Sequence, residues 1–399
     1  MPAPPARFIT CDREVLAAEI AALGTHPLAA ASLAHESAFL AVRLSGLATR
    51  ATEALAGEMR AQGGQVIASD DQQTVLVLGS RAEFDGLVAA LQSAEADLPR
   101  RARELRDLLD TLDRSPAPLQ LGRFTLPLGE RTLVMGILNM TPDSFSGDGL
   151  GANLDAAVAR AQAMQAAGAD IVDVGGMSTR PGAEEISTDQ ELARVVPLVR
   201  RLASEIDLPI SIDTYRATVA EAALAAGAVI VNDITGLDAD PALAAVVAAQ
   251  GAGLVLMHIQ GRPRTMQHNP HYGDLLGEIH AYLWASRDRA IAAGVPPTHI
   301  WADPGIGFGK TGDHNLQILR RLGELRSLGM PILIGTSRKW FIGSILGGRP
   351  PAERVSGTGA TLVLGVAHGA DIVRVHDVGP AVDVVRVADA IVRHGGVRS

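Results

Sequence analysis

From Arg131 onward the chain alternates between short apolar segments typical of buried strands and longer segments typical of helices. The strand-like segments are RTLVMGILN, DIVDVGG, LPISIDT, AVIVNDIT, GLVLMH, IWADPG, PILIGTS and DIVRVHDV. The predicted helices that follow them span 154–166, 189–206, 216–225, 241–249, 274–293, 315–328, 338–346 together with 360–368, and 381–392. Alternating units predict a parallel sheet, and eight of them fit a closed (β/α)8 barrel. An open doubly wound sheet is the alternative, but it has no natural use for eight evenly spaced units.

The first 113 residues lack this alternation and predict a separate small α/β module. Its predicted strands lie at 38–44, 65–69 and 74–80, and its predicted helices at 48–62, 84–91 and 99–112. Pro116 and Pro118 resist helix, which makes residues 114–120 a linker and 121–399 the barrel. The module carries no constellation of chemically active residues, so its sequence indicates no role.

Composition excludes several classes of protein. The net charge is −9 and no basic run is present, which argues against a nucleic-acid partner. A single cysteine, Cys11, rules out intrachain disulfides and a cysteine-based zinc site. The apolar stretch at 243–257 is interrupted by Gln250 and Gly251, so it predicts a helix followed by a strand rather than a membrane span. The first residues do not resemble a signal peptide. We therefore expect a cytoplasmic protein with no membrane partner.

Polar residues stand where each predicted barrel strand ends. In (β/α)8 barrels the chemistry lies at the carboxyl ends of the strands. The residues at these positions are Asn139, Ser178–Arg180, Asp213, Asn232 with Asp233, His258, Asp303, Ser337–Lys339, and Arg374 with His376. Some of them could cap helices. Polar residues on all eight strand ends nevertheless favour an active site. His258 is either a ligand or a packed histidine.

The residue types divide into two chemical sets. Carboxylates and an amide on apolar strands suit a neutral heterocycle rich in N–H donors, such as an aminopyrimidine edge, and these are Asp213, Asn232 and Asp303. Positive charge suited to a phosphate comes from Arg180, Lys339, Arg374 and His376. The last three follow strands 7 and 8, the usual phosphate site of such barrels. Asn139 offers a neutral oxygen suited to Mg2+, which typically also binds water and substrate phosphates.

Two glycine-containing segments carry weaker signals. Gly309-Lys310-Thr311 matches the end of a nucleotide phosphate loop, but Pro304 stands where the first glycine of that motif is required. Gly357-Thr358-Gly359 is either a phosphate nest or the entry to a helix. No HExxH or comparable metal-ligand set is present.

Eight segments of the chain resemble dihydropteroate synthases, the pterin-binding barrels of folate biosynthesis. In family order they are NMTPDSFSGDG (139–149), GGMSTRPGA (175–183), SIDT (211–214), VNDITG (231–236), MHIQGRPRTMQ (257–267), DPGIGFGK (303–310), GTSRKWFIG (335–343) and RVHDV (374–378). The resemblance covers the chain from about residue 119 to the end. It implies a transferase that condenses hydroxymethyl-dihydropterin diphosphate with 4-aminobenzoate, giving dihydropteroate and diphosphate, with Mg2+.

The resemblance also implies roles for particular residues. Asn139 would hold Mg2+ and face the diphosphate. The pterin diphosphate would be bound by Thr179, Asp213, Asn232, Asp303, Lys339, Arg374 and His376, of which Asp213, Lys339, Arg374 and His376 are the expected catalytic residues. The aminobenzoate and diphosphate sites would be shaped by Arg180, Pro181, Phe308 and Ser337. Loops 139–151 and 177–186 would close over the site. A homodimer through barrel helices is expected from the resemblance alone.

The sequence departs from the family pattern in the first two loops. Met177 replaces the usual Glu, and GDG at 147–149 replaces the commoner DGG. The loss of the Glu charge puts the ordering of the second loop or an ion pair in question. Two rival functions remain: a methyltetrahydrofolate–corrinoid methyltransferase, and a pterin-binding paralogue without activity. The STRPG, SRK and RVH segments argue against the first, and the nearly complete set of key residues argues against the second.

Overall fold

The structure is a computed structural model that describes residues 13–94, 97–140, 153–177 and 186–393. The chain divides into two compact units, residues 1–113 and 114–399. Within the described ranges, no helix combines the length and the apolar character needed to cross a membrane.

The first unit is a small antiparallel sheet with helices. It contains α1 (Arg13–Ala22), α2 (Pro27–Glu36), β1 (Phe39–Ser45), α3 (Thr49–Ala61), β2 (Gln65–Ala68), β3 (Thr74–Ser80), α4 (Arg81–Gln92) and α5 (Leu98–Asp113). The strands pair in the order β1-β3-β2, and both pairings are antiparallel. The predicted α/β class is confirmed. Helices α1 and α2 are additions that the sequence patterns do not predict.

Helix α5 shows why this unit forms a core of its own. Its buried apolar residues recur at three- and four-residue spacing, at Leu98, Ala102, Leu105 and Leu109. This spacing places them on one helix face. They join the apolar residues of α4 and β3 in one cluster, which includes Phe84 and Val77.

The second unit begins with a hairpin and continues as eight strand–helix repeats. The hairpin is β4 (Leu119–Leu121) and β5 (Phe124–Leu126). The barrel strands are β6 (Leu133–Asn139), β7 (Ile171–Gly175), β8 (Ile210–Asp213), β9 (Ile230–Asp233), β10 (Gly253–Met257), β11 (Ile300–Asp303), β12 (Leu333–Ile334) and β13 (Ile372–Val375). The helices are α6 (Leu154–Ala166), α7 (Thr188–Glu205), α8 (Ala217–Ala226), α9 (Leu243–Gln250), α10 (Leu275–Ala292), α11 (Gly312–Arg320), α12 (Trp340–Ile345), α13 (Val355–Ala367) and α14 (Val378–Val392).

The strands close into a barrel. They are parallel and pair in the order β11-β10-β9-β8-β7-β6-β13-β12. A parallel bridge between Ala302 and Ile332 joins the two ends of this order. The closed barrel is therefore confirmed, and the open doubly wound sheet is excluded. Its strand ends from Asn139 to His376 form the barrel mouth.

The hairpin closes the opposite end of the barrel. Its Leu119, Leu121 and Leu126 pack in one buried cluster with residues that point into the barrel. These inward residues are Leu133, Met135, Ile171, Ile230, Val255, Trp301, Leu333 and Ile372. Because this floor is apolar and filled, polar chemistry is confined to the mouth.

The predicted helices are present, with two differences in the last third of the chain. The predicted helix 315–328 is an α-helix that ends at Arg320 and a 3-10 helix, Leu322–Leu328. Helix α13 begins at Val355, so Gly357-Thr358-Gly359 lies inside a helix and is not a phosphate nest. Gly357 is required there because a Cβ would overlap the side chain of Ile342 on α12.

Candidate active site

Arg374 links two carboxylates at the centre of the barrel mouth. Its Nε donates to Asp173 Oδ2 at 2.6 Å, and its Nη2 donates to Asp213 Oδ2 at 2.7 Å. Burial alone would lower the pKa of Arg374, but the carboxylates of Asp173 and Asp213 outweigh it and raise that pKa. Burial raises the pKa of Asp213, and the Arg374 guanidinium opposes that rise. The three side chains form one charged group carried by β7, β8 and β13.

Asp173 also holds Asn232. The amide Nδ2 of Asn232 donates to Asp173 Oδ2 at 3.2 Å, so a single carboxylate oxygen accepts from both Arg374 and Asn232. Asp173 is fully buried in the middle of β7, and Asn232 on β9 is 3% exposed. The Asp173 carboxylate, which can only accept, therefore determines which end of the Asn232 amide faces it.

Asp303 ends β11 and accepts a hydrogen bond from the turn that follows. The backbone N–H of Gly305 donates to Asp303 Oδ1 at 2.7 Å. Burial raises the pKa of the Asp303 carboxyl to about 6, against the lowering effects of the Gly305 N–H and the nearby Lys339 charge. A buried carboxylate poised in this way can accept paired N–H groups from a ligand.

The segment after Asp303 brings Phe308 to Lys339. The Lys339 Nζ lies 4.2 Å from the centre of the Phe308 ring, a cation–π distance. Three glycines in this turn, Gly305, Gly307 and Gly309, have φ of +69°, +84° and +59°. A Cβ at Gly305 would overlap the His258 carbonyl oxygen. Burial lowers the pKa of Lys339 to about 8.

Ser337 and His376 meet across the neighbouring strands 7 and 8. Ser337 Oγ accepts from the His376 backbone N–H at 3.1 Å and lies 3.0 Å from His376 Nδ1. Arg338 between Ser337 and Lys339 has φ of +58°, an uncommon conformation for a side chain of this size. The Arg338 guanidinium pairs with both oxygens of Asp377, at 2.8 and 2.5 Å. Arg338 thus anchors the segment, while Ser337 and Lys339 belong to the mouth.

Asn139 lies at the end of β6 and is half-buried. A Cβ at Gly175 would stand 3.1 Å from Asn139 Oδ1, so the glycine lets this amide approach the neighbouring strand. Within the described ranges, no three His, Cys, Asp or Glu side chains are grouped so that they could hold a metal ion. A single amide oxygen fits Mg2+ only where water and substrate phosphate complete its ligands.

Two of the predicted strand-end residues have structural roles. His258 is 4% exposed and its Nδ1 lies 2.9 Å from the Lys310 Nζ, so it is a packed and hydrogen-bonded histidine. Asp233 is fully buried and accepts from the Thr235 backbone, the Thr235 hydroxyl and the Leu237 backbone at 2.6–2.7 Å. It stabilises the turn after β9.

Part of the predicted site lies outside the described residues. This applies to Ser178, Thr179, Arg180 and Pro181, and to most of loops 139–151 and 177–186. Met177 is described, and its sulfur lies 3.9 Å from the Tyr215 hydroxyl. An ion pair does exist beside this loop: the Arg216 Nη1 donates to the buried Glu191 Oε2 at 2.8 Å, and its Nη2 donates to the Ile186 carbonyl at 2.8 Å.

The sequence patterns do not identify Asp173, although it contacts two predicted site residues. The polar pattern marks the end of each strand, whereas Asp173 is the third of five residues in β7. The available signal was an acid inside the apolar run DIVDVGG, because a charge on a buried strand needs a partner. The sequence associates Lys310 only with a phosphate-loop pattern, whereas its amine contacts His258 Nδ1 and the Phe308 carbonyl.

Comparison with known proteins agrees with this geometry. The profile of the family described as pterin binding enzymes matches residues 135–376. A dihydropteroate synthase from Synechocystis sp. is 52% identical over 288 residues, covering 72% of this chain and 100% of the relative. One from Bacillus subtilis is 48% identical over 268 residues, covering 67% of this chain and 91% of the relative.

Solved structures give the same result. The Yersinia pestis dihydropteroate synthase, in a sulfonamide drug complex, has a TM-score of 0.66 and 43% identity, covering 69% of this chain and 98% of its own. The Burkholderia cenocepacia enzyme, complexed with 7,8-dihydropteroate, has a TM-score of 0.63 and 46% identity, covering 70% of this chain and 97% of its own. The chain therefore belongs to the dihydropteroate synthase family of pterin-binding enzymes, with an N-terminal extension ahead of the barrel.

Proposed function

We propose that this chain condenses 6-hydroxymethyl-7,8-dihydropterin diphosphate with 4-aminobenzoate at the barrel mouth, forming 7,8-dihydropteroate and diphosphate. The observation that carries the proposal is the grouping of Asp213, Arg374, Asp173 and Asn232 in one hydrogen-bonded network. The barrel mouth thus combines side chains that can accept hydrogen bonds from a neutral ring with a fixed positive charge. The family to which the chain belongs supports the reaction class, a transferase.

The pterin side of the site is assigned to three residues. Asp213 and Asn232 end or nearly end the neighbouring strands β8 and β9, and Asp303 ends β11, which is separated from β9 by β10. Together they supply carboxylate and amide groups at the mouth. Asp303 would accept the paired N–H donors of the aminopyrimidine edge, since a carboxylate accepts two such bonds side by side. Lys339, half-buried and close to the negative charge of Asp303, would close the opposite side of the ring.

The diphosphate side is assigned to positively charged and polar groups. Ser337 follows strand 7, Arg374 lies near the end of strand 8 and His376 directly follows that strand, and such barrels usually bind phosphate after these two strands. Thr179, Arg180 and Pro181 are proposed to join them on the strength of the family motif. Asn139 would hold Mg2+, which when bound would help neutralise the charge of the leaving diphosphate. Phe308 is proposed as the aromatic wall beside 4-aminobenzoate.

In the proposed reaction, the bond between the pterin methylene carbon and the diphosphate oxygen breaks, and diphosphate leaves with the electron pair. Arg374 and His376 would stabilise the charge that develops on it, an electrostatic effect typically worth a few kcal/mol per donor. The Asp213 carboxylate would face the electron-deficient methylene carbon. The amine nitrogen of 4-aminobenzoate then bonds to that carbon and loses a proton.

The test is turnover by the purified full-length chain. Incubation with both substrates and Mg2+ should give 7,8-dihydropteroate and diphosphate in equal amounts, measured by chromatography and a diphosphate assay. Expression should also restore growth of a folate-auxotrophic strain that lacks its own synthase. Binding of the pterin diphosphate without product would instead identify a pterin-binding paralogue. Demethylation of methyltetrahydrofolate by a corrinoid would identify the methyltransferase.

We also propose that the chain forms a homodimer through α13 and α14. Apolar side chains on these adjoining helices are exposed to unusual extents, with Val387 at 62%, Ile391 at 72% and Leu364 at 49%. Exposed apolar patches of this kind often mark interfaces between proteins. The expected cytoplasmic location stays a prediction.

A further inference from the structure

Lys310 is a buried amine that none of the proposed substrate contacts uses. Its side chain is fully inaccessible to solvent. The Nζ lies 2.9 Å from His258 Nδ1 and donates to the Phe308 carbonyl at 3.0 Å, with a longer contact of 3.4 Å to the His258 carbonyl. A buried amine requires such partners, since an unpaired one costs several kcal/mol. With these acceptors around it and no exposure, Lys310 is not placed to contact a substrate phosphate.

His258 provides a rigid acceptor for this amine. Burial lowers the pKa of His258 to about 2, with the Lys310 charge adding to the effect, so the ring is neutral. A neutral imidazole has one nitrogen that accepts, and a protonated Lys310 amine, which can only donate, assigns that role to Nδ1. The ring packs edge-on against Tyr282, with centroids 5.0 Å apart. These contacts therefore hold the His258 ring in one position directly after β10.

The other end of the contact is the turn that carries Phe308. Phe308 stands between Gly307 and Gly309, which have no side chains to restrain the backbone. Other side chains anchor the two glycines: Asn315 and Gln267 bind the Gly307 backbone, and the Tyr272 hydroxyl binds the Gly309 carbonyl. The Lys310 amine binds the carbonyl of Phe308 itself.

We propose that Lys310 is a positioning residue: anchored on His258, its amine fixes the Phe308 backbone and so sets the aromatic wall beside the arylamine substrate. The inference rests on the proposed function, which assigns Phe308 to 4-aminobenzoate. The amine does not touch the reacting atoms. Its effect should therefore fall on the binding of one substrate and leave the other almost unchanged.

The test is Lys310→Met, which replaces the unbranched hydrocarbon part of the side chain with one of similar length and removes the amine. The KM for 4-aminobenzoate should rise about tenfold, the effect of one or two lost buried hydrogen bonds. The Kd for the pterin diphosphate, from calorimetry, should stay within about twofold. Both constants are measured at pH 8, well above the pKa of Asp303 at about 6. The Lys310 charge lowers that pKa, and at pH 8 Asp303 remains ionised when this charge is removed. Lys310→Gln, which keeps a donor, should recover part of the KM.

The matched control is Thr132→Val at the opposite end of the barrel. It also removes a buried hydrogen bond, from the Thr132 hydroxyl to Asp389 at 2.8 Å, and should leave both constants unchanged. Amide hydrogen exchange of residues 305–309 should be faster in Lys310→Met than in Thr132→Val, whether or not substrate is present. If Lys310→Met fails to fold, Lys310→Gln replaces it: its KM for 4-aminobenzoate and its exchange rates should then exceed those of Thr132→Val, and equal values would overturn the inference.

The results separate the inference from the function on which it rests. Equal loss of affinity for both substrates would make Lys310 a general support of the fold and overturn the inference, as would KM and exchange values equal to those of Thr132→Val. Absence of dihydropteroate from the wild-type reaction would instead overturn the proposed function, and the exchange rates would still show whether Lys310 holds the turn.

Discussion

Asp303 is the residue whose protonation should control recognition of the pterin ring. Its pKa is raised by burial to about 6, so its carboxyl is ionised above that pH and protonated below it in the ligand-free protein. Only the ionised form offers two unprotonated oxygens to paired N–H donors. Affinity for 6-hydroxymethyl-7,8-dihydropterin should therefore be constant above about pH 7 and fall about tenfold for each pH unit below 6. Calorimetry between pH 5 and 8 measures this.

Two variants complete that prediction. Asp303→Ala removes the acceptor at every pH and should weaken binding by about 2–5 kcal/mol, as expected for a lost buried charged hydrogen bond. Asp303→Asn should bind weakly and should not lose a further tenfold of affinity for each pH unit below 6. An affinity that falls in acid to the same extent in Asp303→Asn would assign the titration to another group.

Asp173 should be needed for the rate although it lies below the mouth. In Asp173→Asn the acceptor of Arg374 and Asn232 becomes neutral, which weakens a charge-assisted bond. We expect kcat to fall at least about tenfold, equal to about 1.4 kcal/mol of barrier. Ser211→Ala is the control, because Ser211 is the β-sheet partner of Asp173 and its buried hydroxyl has no hydrogen-bond partner among the described residues. Wild-type kcat in Asp173→Asn would remove it from the site.

Strand-end residues could be predicted from sequence because a polar group after an apolar run has few structural explanations. Asp213, Asn232 and Asp303 are examples. Asp173 and the Lys310–His258 pair could not be predicted from sequence, because their contacts depend on which strands and turns come together in the fold. Asn232 on β9 and Arg374 on β13 meet at Asp173 only after the sheet closes. Pairing between positions 201 residues apart leaves no local signal in one sequence.

At the scale of elements, α7 begins with a hydrogen-bonded cap directly after the second loop. Ser187 Oγ accepts from the Gln190 N–H at 3.2 Å, and Gln190 Oε1 accepts from the Ser187 N–H at 2.9 Å. This reciprocal arrangement satisfies two donors at the helix start. Ser187→Ala should lower the free energy of unfolding by about 1 kcal/mol.

The control for that prediction lies on the same helix. Ser204 is exposed near the end of α7, and its hydroxyl donates to the Arg201 carbonyl at 2.9 Å. Ser204→Ala should change the free energy of unfolding by less than about 0.5 kcal/mol. Urea denaturation of the two variants compares them directly. Equal losses would show that the Ser187 cap does not stabilise the helix start.

Element types followed closely from the alternating pattern, whereas some boundaries depended on packing. The predicted start of α13 at residue 360 is five residues later than the observed start at Val355. The two glycines of Gly357-Thr358-Gly359 are typical of a loop, so this segment is not predicted as helix. The glycine is helical there since α12 lies against it. The close packing of two helices is a tertiary contact, and local sequence propensities do not predict it.

For the whole molecule, the first 113 residues are predicted to be dispensable for chemistry. All the proposed site residues lie between Asn139 and His376, and the second compact unit begins at Arg114. A chain beginning at Arg114 keeps Pro116, whose carbonyl packs at Gly129, and the hairpin that closes the barrel floor. Its turnover should be within about tenfold of the full chain once circular dichroism shows it folded. A folded truncation with turnover lower by more than about 100-fold, or about 2.7 kcal/mol, would show that the module serves the active site.

The proposed homodimer makes a second prediction at this scale. The double substitution Val387→Glu and Ile391→Glu places two charges on the exposed apolar face of α14 and should convert a dimer to a monomer in sedimentation velocity. Leu316→Glu on α11 is the control, because Leu316 is also apolar and 41% exposed. A wild-type chain that sediments as a monomer, or a double variant that stays dimeric, would place the contact elsewhere.

The glycine turn after β11 limits how this enzyme can escape an inhibitor. Gly305, Gly307 and Gly309 all have positive φ, and a Cβ at Gly305 or Gly309 would overlap the backbone of the segment that follows β10, at His258 or Gln260. Between Gly305 and Gly309, a side chain can therefore be replaced without backbone strain only at Ile306 and Phe308. A compound that binds the main chain of this turn would keep its affinity, because the glycines that shape the turn cannot be substituted without strain. A compound that binds the Phe308 ring could lose its affinity through a single substitution at that position.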